Sequence, residues 1–430
     1  MKRFIVYCLV AVLACLPATA KAWKMAVMSD IHVMAPELLH EDGQAFQDYI
    51  SNDRKMLRES PALLKTAVEA ILAEQPDVVL VTGDLTKDGE KMSHELVAQM
   101  LKPLRDKGIP VYVIPGNHDV NNPHAVAFEG AKTERVATLS ADEFAQNYAD
   151  YGYGSAIARD TNSLSYVVQL NTNTRLLAID ACKYEENDYD LNTCVTGGRI
   201  KDATMEFIRK QVADANAHGC KMLTMMHHGL VQHWTWQDRV MAEYLVDDWK
   251  KQSKAFSKLG LNIVFTGHFH AQDIAARGKG DNAVYDIETG SLVSYPMPYR
   301  LINFEGNNIK ITTRHIDSIP GFTPSTTLAD YAQSFAEKGI SSIISNMLPK
   351  KVPADIATKA SKALAKAYVA HLAGDEKMPE GYSDELNAAC KQLRHYSWKY
   401  AFALKKLGGY MFDDIAPADN NLTIVTGNQY

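Results

Sequence analysis

The sequence predicts an α/β domain with largely parallel strand pairing, followed by a helical C-terminal extension. Three observations carry this. Short apolar runs rich in Val, Ile and Met alternate with helical patterns; the later part of the domain adds hairpin signals; and the pattern after Pro320 is helical almost throughout. The chain has 430 residues, more than one hydrophobic core usually organises, so a large domain with an appendage is expected.

The runs read as buried strands are 25–28, 78–81, 111–114, 176–179, 222–226 and 263–265. Helical patterns span 61–74, 93–107 and 202–217, and Ser140 followed by Glu143 is a capping box. The polar turn 171–174 between 164–170 and 175–179 signals a hairpin, and Gly306-Asn307 between 301–304 and 309–313 signals another. Beyond Pro320, helices are expected over 329–338, 340–347, 354–372 and 384–407, with Gly and Pro at 374, 379 and 381 as punctuation. The expected organisation is a leader over 1–22, a main domain over 23–319 and a helical extension over 320–430, read as a cap on the core.

The N-terminus reads as a secretory signal peptide. Lys2 and Arg3 precede an apolar run from Phe4 to Leu16, and small-x-small sites follow at 18–20 and 20–22. The run is shorter than the ~20 residues a spanning helix needs. Export to the periplasm or medium is therefore expected, with a lipid anchor at Cys15 as a lesser alternative, and no membrane span is expected after removal. Cys182, Cys194, Cys220 and Cys390 would remain. Cys182 and Cys194 flank the polar loop 183–193 and are the expected disulfide; Cys220 and Cys390 read as a pair or as two buried thiols. The formal net charge of −6, without an evident basic cluster, argues against a nucleic-acid partner.

Each chemically loaded motif follows one of the predicted strands. Asp30-Ile31-His32 follows the first, Gly83-Asp84 the second and Gly116-Asn117-His118-Asp119 the third; His227-His228 and Gly267-His268-Phe269-His270 end two later ones. Singly, most are weak: Gly-Asp is common turn chemistry, and a His-His pair is often one core and one surface residue. Jointly, they deliver metal-competent groups to the carboxyl ends of strands, where α/β sheets open their binding crevice. Carboxylate, amide oxygen and imidazole together suit Mn, Fe or Zn. Asp30 and His32, two apart in an extended segment, are expected to point to one side and share an ion. Asp84 is expected to bridge two ions, and His268 and His270 to divide between them.

This series resembles the metal-binding motifs of calcineurin-like metallophosphoesterases, with the surrounding likeness reaching about Ile316. The resemblance implies an αββα sandwich holding two metal ions, divalent or trivalent. It implies Asp30, His32, Asp84 and His270 as ligands of the first, and Asp84, Asn117, His227 and His268 as ligands of the second. It implies that His118 contacts the phosphate and assists the leaving group, with Asp119 orienting it. Metal-activated hydroxide would attack the phosphorus of a phosphodiester or phosphomonoester small molecule. Purple acid phosphatases carry a metal-binding tyrosine where this chain has Lys87. Gly83-Asp84-Leu85-Thr86 with Gly89 is more like the branch containing cyclic-nucleotide and glycerophosphodiester phosphodiesterases, although Gly229 stands where that branch often has proline. Two other readings fit the same residues: a binding protein of this fold with reduced catalysis, and a nuclease or pyrophosphatase. His233, Trp234, Trp236 and Tyr184 are read either as a substrate-pocket lining or as packing.

Overall fold

A computed structural model describes residues 22–323, 325–427 and 430. The leader thus lies outside the described residues, apart from Ala22. Two sheets form the framework. The first runs, edge to edge, Asn421–Val425, Asn308–His315, Pro298–Glu305, Trp23–Met28, Val78–Val81, Val111–Val113. The second runs Asp273–Arg277, Val284–Glu288, Ile263–Thr266, Lys221–Met226, Thr174–Ile179, Tyr166–Gln169, Ala158–Arg159. In the first sheet Trp23–Met28, Val78–Val81 and Val111–Val113 pair in parallel at one edge, and the other pairings are antiparallel. In the second the four strands from Val284–Glu288 to Thr174–Ile179 pair in parallel, with antiparallel strands at both margins.

Alternation along the strands builds the layers. Leu223 and Met225 face a core shared with Met25, Val27, Val79 and Val81 of the first sheet. Met222 and Met226 face the opposite way, onto Met205, Ile208 and Val212 of the helix Asp202–Ala217. The helices Ser60–Glu74 and Lys91–Asp106 join the shared core from the first sheet's side. The result is the αββα sandwich that the resemblance implies.

Most predicted elements form within a residue or two of their expected ends, and the capping box at Ser140 and Glu143 is made. The extension differs in three ways. Residues 329–347 form one helix, Leu328–Met347, rather than two. The pattern over 384–407 is split into Tyr382–Arg394 and Trp398–Tyr410, with Ser397 extended at φ −157° between them. The chain then returns to the first sheet, where Asn421–Val425 pairs antiparallel with Asn308–His315. The extension is therefore not purely helical, and its last strand belongs to the sandwich.

Its helices also pack against the sandwich beside His270. Ala360, Ala363, Ala367 and Leu372 of Ala354–Ala373 share a core with Phe269 and Ala271, which flank His270. Ser342 Oγ and Asn346 Nδ2 both donate to Asn52 Oδ1, at 2.8 and 2.9 Å. The uninterrupted helix passes so close to the 53–55 loop that a Cβ on Gly339 would stand 1.9 Å from the Asp53 carbonyl oxygen. Gly339→Ala should gain ~0.5–1 kcal/mol of helix propensity. The clash should outweigh this at ~1–3 kcal/mol. Urea denaturation is expected to show a net loss of stability.

Candidate metal centre

Parallel pairing of Met25–Met28 with Val78–Val81 carries two loops off the sheet side by side. Beyond the strands they remain zipped: Asp30 N–H donates to Gly83 O, His32 N–H to Asp84 O and Val33 N–H to Leu85 O, at 3.0, 2.9 and 3.0 Å. Asp30, His32 and Asp84 adopt left-handed backbone at φ 49°, 34° and 49°, as do His268 and His270 at 78° and 73°. The common direction of Asp30 and His32 thus arises from left-handed backbone at both residues, correcting the expectation of an extended segment. Five such residues at one rim are a concentration of local strain typical of functional sites. Close approach fixes two glycines: a Cβ on Gly116 would lie 2.0 Å from Asp84 Oδ1, and one on Gly267 1.9 Å from Ser29 Oγ.

The side chains converge in two groups that share one carboxylate. Asp30, His32, Asp84 and His270 form the first; Asp84, His227 and His268 form the second, with ligand atoms in each within 4.8 Å of one another. Asn117 Oδ1 lies 3.2 Å from His227 Nε2, at the edge of the second group. All seven residues are buried.

Backbone carbonyls decide which imidazole nitrogens are free. A carbonyl can only accept, so His32 Nδ1–H donates to Thr86 O at 3.2 Å and His227 Nδ1–H to Thr82 O at 2.9 Å. The Nε2 lone pairs are thereby turned to Asp84, at 3.5 Å from Oδ2 for His32 and 3.4 Å from Oδ1 for His227. His32 Nε2 also faces His270 Nε2 at 3.1 Å, and His270 Nε2 faces Asp30 Oδ1 at 3.3 Å. Lone pairs turned on carboxylate oxygens repel unless a cation lies between them. Ligand atoms ~2.1 Å from one ion stand roughly 3–3.5 Å apart, which is the spacing found. The residues therefore fit two metal ions with Asp84 between them.

Electrostatics favour the same occupant. Burial holds the pKa of His32 well below its usual value, and burial with the Arg54 charge lowers that of His270 to about 4. His268 is likewise pushed down, by burial and by His228 and His227. Burial would raise Asp84, but His227, His118 and His32 hold it well below the carboxylate range. Burial also opposes the charge on His227, yet Asp84 outweighs this and raises its pKa to about 9, so a proton competes with a cation at that pair.

His118 differs from the others. Its side chain is 26% exposed, and Nε2 stands 3.9 Å from Asp84 Oδ2. Its Nδ1 bonds to Asp88 Oδ1 at 2.8 Å, so Asp88, not Asp119, orients the ring. Asp119 instead accepts from Gly116 N, Leu85 N, Thr86 N and Thr86 Oγ1, at 2.8 to 3.0 Å, and so fastens the Gly83–Asp84 loop to its own. Its carboxylate is occupied on that side and unavailable to His118. Asp88 is itself held by Tyr49 Oη at 2.9 Å and by Lys87, whose Nζ also meets Glu90 Oε1 at 2.9 Å. Lys87, which replaces the purple acid phosphatase tyrosine, thus points away from the metal groups into this support. His94 is buried, and its Nε2 meets Asp119 O at 2.8 Å.

Other expectations are corrected. Cys182 and Cys194 are free thiols: Cys182 Sγ–H meets Pro115 O at 3.4 Å and Cys194 Sγ–H meets Asn117 O at 3.5 Å, each engaging the Gly116 loop separately. Cys220 and Cys390 are also free. His233 and Trp234 are buried, His233 against Asp273 and Trp234 in the core beneath the helical extension. Trp236 packs beside Phe402 and Tyr410, and Tyr184 Oη donates to Asp180 Oδ2 at 3.0 Å. These four are packing residues. Tyr244, unremarked in the sequence, stands over His268 with ring centroids 4.7 Å apart.

Comparison with known proteins gives this geometry a family. A stretch of 65 residues is 40% identical to a probable cyclic nucleotide phosphodiesterase of Vesicomyosocius okutanii, covering 15% of this chain and 27% of that protein. Another of 117 residues is 31% identical to a 3',5'-cyclic adenosine monophosphate phosphodiesterase of Pseudomonas aeruginosa, covering 27% of this chain and 37% of the relative. The chain thus matches well under half the length of these curated relatives. Among solved structures, a dimetal phosphatase from Danio rerio superposes with a TM-score of 0.47 at 12% identity, over 68% of this chain and 96% of that one. A purple acid phosphatase from yellow lupin gives 0.46 at 14%, over 70% and 52%. Residues 24–272, more than half of the sequence, match the calcineurin-like phosphoesterase family. The chain belongs to that family.

Proposed function

We propose that this protein is a dinuclear metal-dependent phosphoester hydrolase acting on a small phosphodiester or phosphomonoester. The observation that carries the reading is Asp84, whose two oxygens each face the lone pair of a different buried imidazole. Bound in these groups, Mn, Fe or Zn would lower the pKa of a water and neutralise charge on the phosphoryl oxygens. The chain's own contribution is placement. Asp30, His32, Asp84, Asn117, His227, His268 and His270 hold the ions, and the exposed edge of His118 faces the reacting group. Burial works against the imidazolium of His118, but Asp84 and Asp88 favour it and the pKa is raised overall, which keeps a proton available for the leaving oxygen.

Phosphodiesters are the first class to assay, because two relatives are named for cyclic-nucleotide hydrolysis. A panel of phosphomonoesters, phosphodiesters and nucleotides, run after loading with Mn, Zn or Fe, tests the proposal. Turnover of one ester class supports it. Bound metal without hydrolysis of any ester would favour a binding protein. Export belongs to the same reading, supported by the order of charge, apolar run and small residues at 2–22.

Arg54 extends the reading towards substrate. Its charge reaches His270, it lies against Tyr244 and Tyr368, and its Nε is buried without a partner. A guanidinium so placed suits a second anionic or polar group on the substrate. Losing one such contact costs about 1.5–3 kcal/mol, so Arg54→Ala should raise KM roughly 10-fold or more while kcat and metal content stay near wild type. Steady-state kinetics with elemental analysis checks this.

A further inference from the structure

A second convergence of metal-competent side chains lies outside the shared-carboxylate centre. It forms where the strand Asp273–Arg277 meets the end of the helix Ala354–Ala373. Asp273, His371 and Glu376 each bring a ligand atom within 4.8 Å of the others. Their side chains are 5%, 2% and 2% exposed. His371 Nδ1 bonds to Glu376 Oε1 and stands 3.9 Å from Asp273 Oδ2. Two polar atoms are left over: Glu376 Oε2 and His371 Nε2 are buried and have no hydrogen-bond partner. A buried carboxylate oxygen without a donor is costly, and its presence calls for a ligand.

The neighbouring cations, His233 and Arg300, bond to other atoms and leave Glu376 Oε2 without a donor. The buried Arg300 guanidinium donates to Glu288 O, Asp273 O and Asp419 O and to Thr313 Oγ1, none of them a carboxylate. His233 donates to Asp273 Oδ1 at 2.8 Å, which leaves Oδ2 as the oxygen nearer His371. Burial and the Glu376 and Asp273 charges push Asp414 up to about 6, and burial and Asp273 push Asp419 up to about 8. The neighbouring group of Asp375, Asp414 and Asp419 is otherwise provided for: Asp375 and Asp419 accept each other's backbone N–H at 3.0 and 2.6 Å. It needs no ion.

We infer that Asp273, His371 and Glu376 form a third cation site, taking one divalent transition ion such as zinc or manganese. One imidazole with two carboxylates suits such an ion better than calcium. Its place is structural: it joins the helical extension to the strand that begins just after His270. Phe269, between the two histidines of that motif, stacks on Tyr368 at 5.5 Å and meets His371 edge-on at 5.4 Å. An ion here would fix the end of the helix against the segment that presents His268 and His270.

The test compares wild type with Glu376→Gln and His371→Gln, each saturated with zinc and dialysed against metal-free buffer before elemental analysis. Wild type is expected to hold one equivalent more than either variant, and zinc should raise its melting temperature further than theirs. Equal zinc in wild type and a folded Glu376→Gln would overturn the inference. Should both variants fail to fold, anomalous scattering from zinc-grown wild-type crystals decides. A peak between Asp273 and Glu376 supports the site, and its absence there, with zinc present at Asp84, refutes it.

Discussion

Asp84→Asn is expected to lose both metal content and turnover, and to lose them together. The carboxylate supplies one oxygen to each group, Oδ2 towards His32 and Oδ1 towards His227. An amide keeps one oxygen, lacks the charge and turns an N–H₂ towards one imidazole lone pair. It therefore weakens one group by lost attraction and opposes the other with a donor. The residue is 1% exposed, so water cannot easily replace the missing ligand. Support from surrounding residues alone typically changes metal affinity by about 10- to 100-fold, and a shared ligand should matter more. Elemental analysis after dialysis should find less than the two equivalents assigned to these groups, with hydrolysis falling at least in proportion. Retention of both ions with full activity would show that Asp84 does not bridge.

Much of this centre was legible in the sequence because its chemistry is local. Each motif sits where an apolar run stops and Gly, Asp or His begins, and the parallel sheet brings those ends to one rim. What the sequence hid depends on contacts between loops. Asp88 is adjacent to Lys87 in the chain, but its bond to His118 exists only once the Gly83 and Gly116 loops are docked. The docking residue is Asp119, whose neighbour position invited the orienting role it does not have. The Cys182–Cys194 pairing failed for a related reason, since spacing across a polar loop says nothing of the separate carbonyls each thiol meets.

The same logic separates the elements found from those missed. Val78–Val81 is apolar throughout and announces itself, whereas Val284–Glu288, next to the edge of its sheet, carries the buried Asp286 and Glu288. Asp286 is tolerated because Leu230 N, Val231 N and Thr266 Oγ1 all donate to it, at 2.5 to 2.8 Å. Asn421–Val425 buries only Ile424 deeply and finds its partner strand far back in the chain. Nothing in its composition points to that pairing. Gly339 suggested a break, yet its missing side chain is what lets an unbroken helix reach Asp53.

His118→Ala should separate chemistry from metal binding. The ring lies beside both groups without joining either, so both ions should stay bound while the rate falls on the order of 10²–10⁴-fold, the usual range for a general acid or base. The loss should be smaller for an ester with a good leaving group, such as a nitrophenolate, which needs little protonation. Asp88→Asn offers a second, finer reading. Asp88 touches the ring and no metal group, and Lys87, Tyr49 and Glu90 keep its surroundings polar. Replacing it leaves His118 in place, with an amide oxygen still able to accept Nδ1–H, but removes the charge that favours the imidazolium and weakens the bond that fixes the ring. Its rate should fall roughly 10- to 100-fold, less than for His118→Ala, again with metal content unchanged. The pH profile decides between orientation and mere packing. Removing a carboxylate that raises the His118 pKa should lower the pH at which activity on an unactivated ester begins to fall, while an activated ester should show little displacement. Equal rate losses on both esters, or release of either ion from His118→Ala, would remove His118 from the role of acid.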